Sequence, residues 1–375
     1  MLITNQTIPK TIKAVVLEGP RKLTYREIPM WPIESYNDPD MILLKVAACG
    51  VCGSDFRYYA GENPWAQHTL GRHVDNPPNI VLGHEFTGEV VGVMSEKNAH
   101  LMGKRVAPIC SKTCGVCSEC ASGRTQLCPN TVHLGHGQGW GKQDFFPGAY
   151  AEYVPVWASG TFVIPDKLSY EETAMMDILA VCVHVAHQGE IQPGRPVLMM
   201  GAGPAGNGIA QAAKYLGASK VVITDISDIA LDIARKQGID EVVDVRGKTD
   251  EQLSNELRSH APEGYASVFD SIGTKESFDI GLGLLGKRGT LVNMAVHDQE
   301  MPVNFLRLGS ERKVTTSCNF ATGDYPLALS WLETGRLSVK GWLNTIKLED
   351  LPRVFAEVDS STSGKQAFKM LVSFK

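Results

Sequence analysis

The pattern of hydrophobic and polar positions changes near residue 175. Before that point, short runs of alternating apolar and polar residues, such as 13–17 and 41–46, are bounded by Pro, Gly, Asn and Asp. Alternation of this kind predicts β-strands. From about residue 170 to about 320, short apolar runs alternate with helical patterns, which predicts a parallel sheet covered by helices on both faces. We therefore expect an α/β protein with a mainly β domain and a doubly wound domain.

Periodicity and bounding residues predict the strands and helices that follow residue 175. We expect strands at 197–200, 221–225, 241–244, 267–270 and 290–294, and helices ending near 236 and spanning 250–260 and 325–334. The chain returns to β character at 367–374.

A glycine-rich turn joins the first of these strands to a helix. The turn reads Gly201-Ala202-Gly203-Pro204-Ala205-Gly206. In a dinucleotide-binding turn the first glycine permits the bend, the second lets the backbone approach a pyrophosphate, and the third allows close packing of helix and strand. Asp225 ends the next strand, where a carboxylate can accept hydrogen bonds from an adenosine ribose and repel a 2′-phosphate. This pattern predicts NAD as the cofactor.

The same glycine spacing recurs at residues 281–286, but in a different context. This copy lies late in an apolar helical pattern and precedes a strand. We expect it to serve close packing of a helix on the sheet rather than phosphate binding.

Composition limits the possible functions. The chain has 375 residues, 43% of them hydrophobic and 21% charged, which suits a globular protein with two domains. A net charge of −5 without long basic runs argues against nucleic-acid binding. No run approaches the ~20 apolar residues that cross a bilayer, and the N-terminus lacks a secretory signal. We expect a cytoplasmic protein without membrane partners, whose nine cysteines stay reduced for metal binding or chemistry.

Four cysteines form the most specific pattern in the sequence. They are spaced as Cys114-x2-Cys117-x2-Cys120-x7-Cys128. Four thiolates on a compact loop suit a closed tetrahedral zinc site that braces a small lobe and leaves no position for substrate. Zinc ribbons that bind nucleic acid also use such sites, but the acidic chain argues against that use. Cys110 lies just outside the spacing and is not expected to be a ligand.

A second set of chemically active residues is dispersed along the chain. Cys52, Ser54 and Asp55 lie within residues 50–55, and His84 and Glu85 are adjacent. Asp177 stands inside an apolar run, where an unpaired charge would be costly. One Cys, one His and one carboxylate leave a fourth zinc position open, as a catalytic site needs. Taken singly, Cys52 and His84 could be core residues, and Asp177 could cap a helix or pair with a basic side chain.

Together, residues 50–55, 83–85, the four cysteines, the turn at 201–206 and Asp225 resemble the zinc-dependent medium-chain dehydrogenase/reductase family. The resemblance is nearer to its sorbitol (polyol), butanediol and threonine dehydrogenase branch than to liver alcohol dehydrogenase. It implies a GroES-like catalytic domain at 1–177 and 321–375, with a structural zinc lobe at about 108–130. A Rossmann NAD-binding domain would occupy 178–320.

The resemblance also implies roles for single residues. Cys52, His84 and Asp177 would bind a catalytic zinc that Glu85 can approach, and Ser54 would take the proton of the substrate hydroxyl. Asp55 would orient one of the residues at the metal. Asp177 lies seven residues before His184, the spacing of polyol-type members. If Asp177 were instead a helix cap or an ion-pair partner, Cys182 would be left to reach the metal.

Two departures from the family pattern concern the substrate side. Arg57 stands where the family usually has a proton-relaying His, and an Arg side chain does not deprotonate in proteins. Tyr58 occupies the position of a substrate-side tyrosine, so we list Arg57 and Tyr58 as candidate substrate residues. The segment 58–79, with Trp65, is longer than usual and would form either a pocket wall or a surface or subunit contact.

The resemblance implies an enzyme with two zinc ions per chain, one catalytic and one structural. It would transfer a hydride between a secondary alcohol (a polyol, sugar or vicinal diol) and NAD. The alternatives are a threonine-type 3-hydroxy amino acid dehydrogenase and a non-catalytic zinc- and dinucleotide-binding protein. A small-molecule alcohol is the expected partner, and a homodimer or homotetramer is expected from the family.

Overall fold

The computed structural model describes residues 3–4, 6–296, 300–360 and 367–374. The chain divides into two compact units, one formed by Met1–Asp177 and Leu343–Lys375 and the other by Ile178–Trp342. The first division follows Asp177. The second follows Trp342, whereas the sequence analysis placed it after residue 320.

The strands lie close to the alternating and apolar runs of the sequence. In chain order they are β1 Ile3–Thr4, β2 Thr11–Gly19, β3 Lys22–Pro29, β4 Met41–Gly50, β5 Ile80–Val81, β6 Glu85–Val93, β7 Arg105–Pro108, β8 Ser111–Lys112, β9 Val132–His133, β10 Tyr153–Trp157, β11 Thr161–Val163, β12 Pro196–Met200, β13 Lys220–Asp225, β14 Glu241–Asp244, β15 Tyr265–Asp270, β16 Leu285–Asn293, β17 Lys313–Thr316, β18 Leu343–Ile346 and β19 Lys369–Ser373.

The α-helices of the first unit are short, and those of the second are longer. They are α1 Gly53–Tyr59, α2 Pro64–Leu70, α3 Ser118–Ala121, α4 Tyr170–Thr173, α5 Met176–Gln188, α6 Pro204–Tyr215, α7 Asp228–Lys236, α8 Asp250–His260, α9 Lys275–Leu284, α10 Asp324–Glu333 and α11 Leu351–Ser360. Short 3₁₀ helices lie at Ile33–Tyr36, Glu96–Leu101, Thr125–Leu127, Ala158–Gly160, Phe305–Leu308 and Leu348–Asp350.

The first unit is mainly β. Its largest sheet has the order β11-β7-β6-β4-β19-β18, with β1 paired to β6 and β10 paired to β4. A second sheet has the order β3-β2-β5, and β8 pairs with β9 in the segment that carries the four cysteines. The apolar side chains of β2, β4 and β6, which are buried in nearly continuous runs, fill the core. Because β19 pairs with β4, the C-terminal strand completes the unit that the N-terminal half begins.

The second unit is a doubly wound Rossmann sheet, as predicted. All six strands are parallel, in the order β14-β13-β12-β15-β16-β17. Counted along the chain this is the order 3-2-1-4-5-6, which places the turn after the first strand at the point where the strand order reverses. Ligands of such sheets bind in the crevice at this point, beyond the carboxyl ends of the strands.

Helix α10 and the segment after it belong to the second unit, which corrects the predicted boundary at 321. Oδ2 of Asp324 lies 2.8 Å from Nδ1 of His184 on α5. The backbone N–H of Ser338 donates to Oε1 of Gln211 on α6 at 2.8 Å. Trp342 is fully buried. These contacts lie far apart in sequence, so the helical pattern at 325–334 could not show which domain the helix packs against.

The helices among the described residues include no candidate for a membrane span, because none is both long and apolar enough.

Candidate metal centres and dinucleotide-binding turn

The start of α1 fixes the loop that carries Cys52. Cys52 is extended (φ −87°, ψ 155°) and caps the helix. The buried carboxylate of Asp55 accepts from the Cys52 backbone N–H at 2.9 Å and from the Tyr150 hydroxyl at 2.8 Å, both through Oδ2. The Asp55 side chain therefore closes the first turn of the helix and is held rigidly itself.

Gly50 and Gly83 lie next to His84 and Glu85 at positions where a larger residue would not fit. Gly50 lies opposite Glu85 in the β4–β6 ladder, and a Cβ at Gly50 would overlap Oε2 of Glu85. Gly83 adopts φ +89°, and a Cβ there would lie 2.6 Å from the Tyr150 ring. Residues with a side chain would be strained or would clash at both positions.

Cys52, His84 and Glu85 form one compact group. One ligand atom from each lies within 4.8 Å of the others. Sulfur, imidazole nitrogen and carboxylate oxygen are the donors that zinc prefers, and three protein ligands leave a fourth position for substrate. Oδ1 of Asp55 lies 3.4 Å from Nδ1 of His84, so Nε2 is the ring nitrogen left for a metal. This donor set fits a catalytic zinc ion.

Asp177 lies beside this group rather than within it. Its Oδ1 accepts a hydrogen bond from the Cys110 thiol at 3.3 Å. Desolvation raises the pKa of Asp177 to about 6; the nearby His84 opposes that rise and the Glu85 charge adds to it. Ser54 lies two residues after Cys52, partly exposed in the first turn of α1. Cys182, the alternative ligand, is buried and donates to the carbonyl of Ala205 at 3.3 Å.

The two residues proposed for the substrate side are held by other side chains. The Arg57 guanidinium donates to the Glu62 carboxylate and, at 2.7 Å, to Oε1 of Gln67. The Tyr58 hydroxyl is fully buried and donates to Oδ1 of Asn63 at 3.2 Å. The long segment 58–79 contains α2, which Asn63 caps.

The sequence analysis missed a pair of histidines in this unit. His133 and His136 are buried, and their rings stack with centroids 4.0 Å apart. The His136 ring also lies 4.7 Å from the ring of His84. Burial, followed by the neighbouring His133 and His84, lowers the pKa of His136 well below its usual value, so the ring is neutral. The signal in the sequence was two histidines three positions apart in a glycine-rich stretch.

The four cysteines come together as their spacing predicts. Their sulfur atoms lie within 4.8 Å of one another. The Sγ atoms of Cys114 and Cys128 are 3.6 Å apart, near the ~3.8 Å expected between two ligands of a tetrahedral zinc with Zn–S bonds of about 2.3 Å. Backbone N–H groups of Val116 and Cys117 lower the pKa of Cys114 to about 6, which favours the thiolate that zinc requires. Cys110 takes no part in this group.

In the second unit, the glycine turn has the geometry of a phosphate cradle. Gly201 adopts φ +95°, and a Cβ at Gly206 would overlap the Gly201 carbonyl. A Cβ at Gly203 would meet no protein atom within 4 Å, so the backbone there is open to a ligand. Pro204 and Ala205 begin α6, whose N-terminus can receive phosphate oxygens.

Asp225 ends β13 beside this turn. Its Oδ2 accepts from the Ala202 N–H at 2.6 Å, and its Oδ1 accepts from the N–H groups of Ile226 and Ser227 at 2.7 and 2.8 Å. The second glycine pattern lies at the end of α9 and the start of β16, and a Cβ at Gly281 would press on side chains of the sheet. That copy serves packing, as expected.

Comparison with known proteins decides the family. Residues 38–166 match the model of the alcohol dehydrogenase GroES-like domain, and residues 204–334 match that of zinc-binding dehydrogenases. The chain is 30% identical over 342 residues to L-threonine 3-dehydrogenase of Cronobacter sakazakii, covering 89% of this chain and 92% of that protein. The chain belongs to the zinc-dependent medium-chain dehydrogenase/reductase family.

Other members of the family are similar over comparable lengths. Sorbitol dehydrogenase of Bacillus subtilis is 29% identical over 336 residues, which is 89% of each protein. The structure of L-idonate 5-dehydrogenase from Escherichia coli superposes with a TM-score of 0.81 at 25% identity, covering 100% of this chain and 99% of that one. As a zinc-dependent dehydrogenase, the chain is an oxidoreductase, and its first unit is the GroES-like domain. The non-catalytic alternative is therefore set aside.

Proposed function

We propose that this dehydrogenase oxidises a secondary alcohol of a polyol, sugar or vicinal diol to a ketone and reduces NAD. The observation that carries the proposal is the compact group of Cys52, His84 and Glu85 in a chain that also holds the turn ending at Asp225. The likeness to a sorbitol dehydrogenase supports the substrate class.

Cys52 and His84 would hold the catalytic zinc, and two carboxylates compete for the third position. Glu85 lies closer to Cys52 and His84 than Asp177 does. However, the ammonium of Lys369, 2.7 Å from Glu85, already compensates the charge of that carboxylate. Among the described residues no ion pair is found for Asp177, and His84 and Lys369 only partly offset its burial, so a metal would supply the missing countercharge. We therefore propose Asp177 as the third ligand and Glu85 as the carboxylate that can replace it.

When bound, zinc would act as a Lewis acid that lowers the pKa of the substrate hydroxyl. Ser54, partly exposed two residues from Cys52, would accept the hydroxyl proton and pass it towards solvent. Asp55, itself fixed by Tyr150, would hold the His84 ring in one orientation. Arg57 is engaged by Glu62, so the proton would leave through water or the cofactor ribose rather than through position 57.

NAD rather than NADP would be the cofactor. Asp225 places a carboxylate beside the glycine turn, where it can accept hydrogen bonds from a ribose and repel a 2′-phosphate. No Arg or Lys follows it before Arg235 to attract such a phosphate.

A threonine-type activity is the second candidate, because the likeness to L-threonine 3-dehydrogenase is as high as that to sorbitol dehydrogenase. A threonine site needs an acidic group for the substrate ammonium. Glu85 is already paired with Lys369, and using Asp177 for the ammonium would remove it from the metal. The buried contacts therefore favour an uncharged substrate.

A homodimer or homotetramer in the cytoplasm completes the proposal. Strand β17 lies at the edge of the Rossmann sheet, and Val314 on it is 39% exposed. On the preceding 3₁₀ helix, Phe305 and Leu306 are 84% and 86% exposed. An open sheet edge next to exposed apolar side chains fits a second copy of the chain. None of the nine cysteines, all of which lie in the described part of the chain, forms a disulfide, as expected in a reducing compartment.

The test is a kinetic panel at fixed zinc content. We expect two zinc ions per chain and faster turnover of sorbitol or 2,3-butanediol with NAD than of ethanol or threonine. A clear preference for ethanol would contradict the polyol assignment, and a preference for threonine would establish the second candidate.

A further inference from the structure

His136 is a buried polar side chain without a partner. Only 7% of its surface is exposed. Within the described residues, neither Nδ1 nor Nε2 has a hydrogen-bond partner. Leaving such a group unpaired is costly, and buried polar groups in native proteins almost always find a partner. The two nitrogens therefore require hydrogen-bond partners that the described protein atoms do not supply.

Stacking fixes the orientation of this ring. The His136 ring is stacked between the rings of His133, at 4.0 Å, and Tyr58, at 4.4 Å, with interplanar angles of 17° and 19°. Its third ring neighbour is His84, 4.7 Å away. Because both faces are covered, the ring presents only its edge, where the nitrogens lie, and it does so next to the proposed metal centre.

The two rings stacked on His136 direct their polar atoms to other groups, so they do not use the hydrogen-bonding capacity of its nitrogens. In His133, Nδ1 bonds the carbonyl of Leu134 at 2.7 Å and Nε2 lies 3.5 Å from Cys110 Sγ. The Tyr58 hydroxyl donates to Asn63. Of the stacked rings of Tyr58, His133 and His136, His136 is the one whose polar atoms have no hydrogen-bond partner among the described residues.

We propose that His136 recognises a second substrate hydroxyl, adjacent to the hydroxyl that reacts at the metal centre. This assignment rests on the proposed function and extends it to a named specificity residue. A neutral imidazole has one N–H donor and one acceptor nitrogen, and a hydroxyl both donates and accepts. Neighbouring carbons of a polyol carry such hydroxyls side by side, whereas a simple secondary alcohol has no second hydroxyl to bond His136.

The test compares 2,3-butanediol with 2-butanol, which lacks the second hydroxyl. His136→Phe keeps an aromatic ring between His133 and Tyr58 but removes both nitrogens. We expect kcat/KM for the diol to fall about tenfold to hundredfold, the range of one buried hydrogen bond, while kcat/KM for 2-butanol changes by less than about threefold. His136→Gln restores a donor and an acceptor and should recover part of the diol activity. As a control, His100→Phe at an exposed position should leave kcat/KM unchanged for both alcohols.

Zinc content and the thermal unfolding midpoint are measured in parallel, to separate loss of recognition from loss of metal or fold. If His136→Phe does not fold, His136→Ala is judged by the same ratio of diol to mono-alcohol activity. Equal losses on both alcohols would show that His136 only supports the metal centre, and no loss on either would show that water satisfies it; both results overturn the assignment. A wild-type enzyme inactive on the diol and on sorbitol would overturn the proposed function and this inference with it.

Discussion

Nζ of Lys369 lies 2.7 Å from Oε1 of Glu85, and both side chains are buried. The two residues are 284 positions apart, so the pair joins the C-terminal strand β19 to β6. The ion pair holds one carboxylate of the candidate metal centre in place and compensates its charge. It therefore couples the assembly of the GroES-like domain to the geometry of its catalytic group.

Removing the cation from this pair should be strongly destabilising. Lys369→Met leaves the Glu85 charge buried without compensation, and we expect the free energy of unfolding to fall by about 3–5 kcal/mol. Denaturant unfolding of the purified protein measures this. Adding Glu85→Gln to Lys369→Met should recover most of the loss.

The matched control is Lys236→Met, which breaks the exposed pair between Lys236 and Asp232 and should change stability little. Equal effects of the two Lys→Met exchanges would contradict the role assigned to the buried pair.

The four-cysteine group should bind one zinc ion whose role is to stabilise the lobe. Cys117→Ser should lose one of the two zinc ions and lower the thermal unfolding midpoint, because a closed structural site contributes folding free energy directly. Metal analysis and thermal denaturation measure the two effects. Cys318→Ser, outside the group, should keep both metals. A Cys117→Ser protein with one zinc and wild-type stability would show that the site does not brace the fold.

Much of the fold could be predicted from local pattern. The strands 241–244 and 267–270 and the helix 250–260 are found within two residues of the expected bounds. Their signals are local, since period, caps and bounding glycines lie within each element. The four-cysteine group was equally predictable, because its ligands lie within 15 residues of chain and their spacing alone defines the site.

The remaining features depend on contacts between distant segments. Lys369 gives no local sign of a buried partner at Glu85, and the packing of α10 against α5 depends on a contact between Asp324 and His184. His136 comes next to His84 only through long-range packing. Resemblance to a family predicts residues for the metal centre but not this histidine. The substrate-side residues that it predicts, Arg57 and Tyr58, are engaged by other side chains.

Cofactor choice should depend on the Asp225 carboxylate. Wild-type enzyme should prefer NAD, and Asp225→Gly combined with Ile226→Arg should shift kcat/KM towards NADP, because the repulsion is removed and a cation is placed nearby. Ile226 is 64% exposed, so the new side chain has room. Asp225→Asn is the control, since it removes the charge but keeps an acceptor for the Ala202 N–H. A wild-type preference for NADP would contradict the role of Asp225.

The identity of the third zinc ligand can be tested at Asp177 and its hydrogen-bond partner. If Asp177 binds the metal, Asp177→Ala should lose the catalytic zinc and nearly all turnover, yet keep the four-cysteine zinc and NAD binding. Cys110→Ala removes only the thiol that donates to Asp177 and should retain both metals. Cys182→Ala, whose thiol bonds the Ala205 carbonyl, should stay close to wild-type activity.

The opposite pattern has an equally definite meaning, because Glu85 already lies within the compact group. If Asp177→Ala keeps both zinc ions while Glu85→Gln loses one, Glu85 is the third ligand and Asp177 acts only through its contact with Cys110. If instead Cys182→Ala loses the catalytic zinc, the site uses a second sulfur as in liver alcohol dehydrogenase. The polyol assignment would then be weakened, because it partly rests on a carboxylate as the third zinc ligand. Zinc counts on these four variants separate the three arrangements without any measurement of turnover.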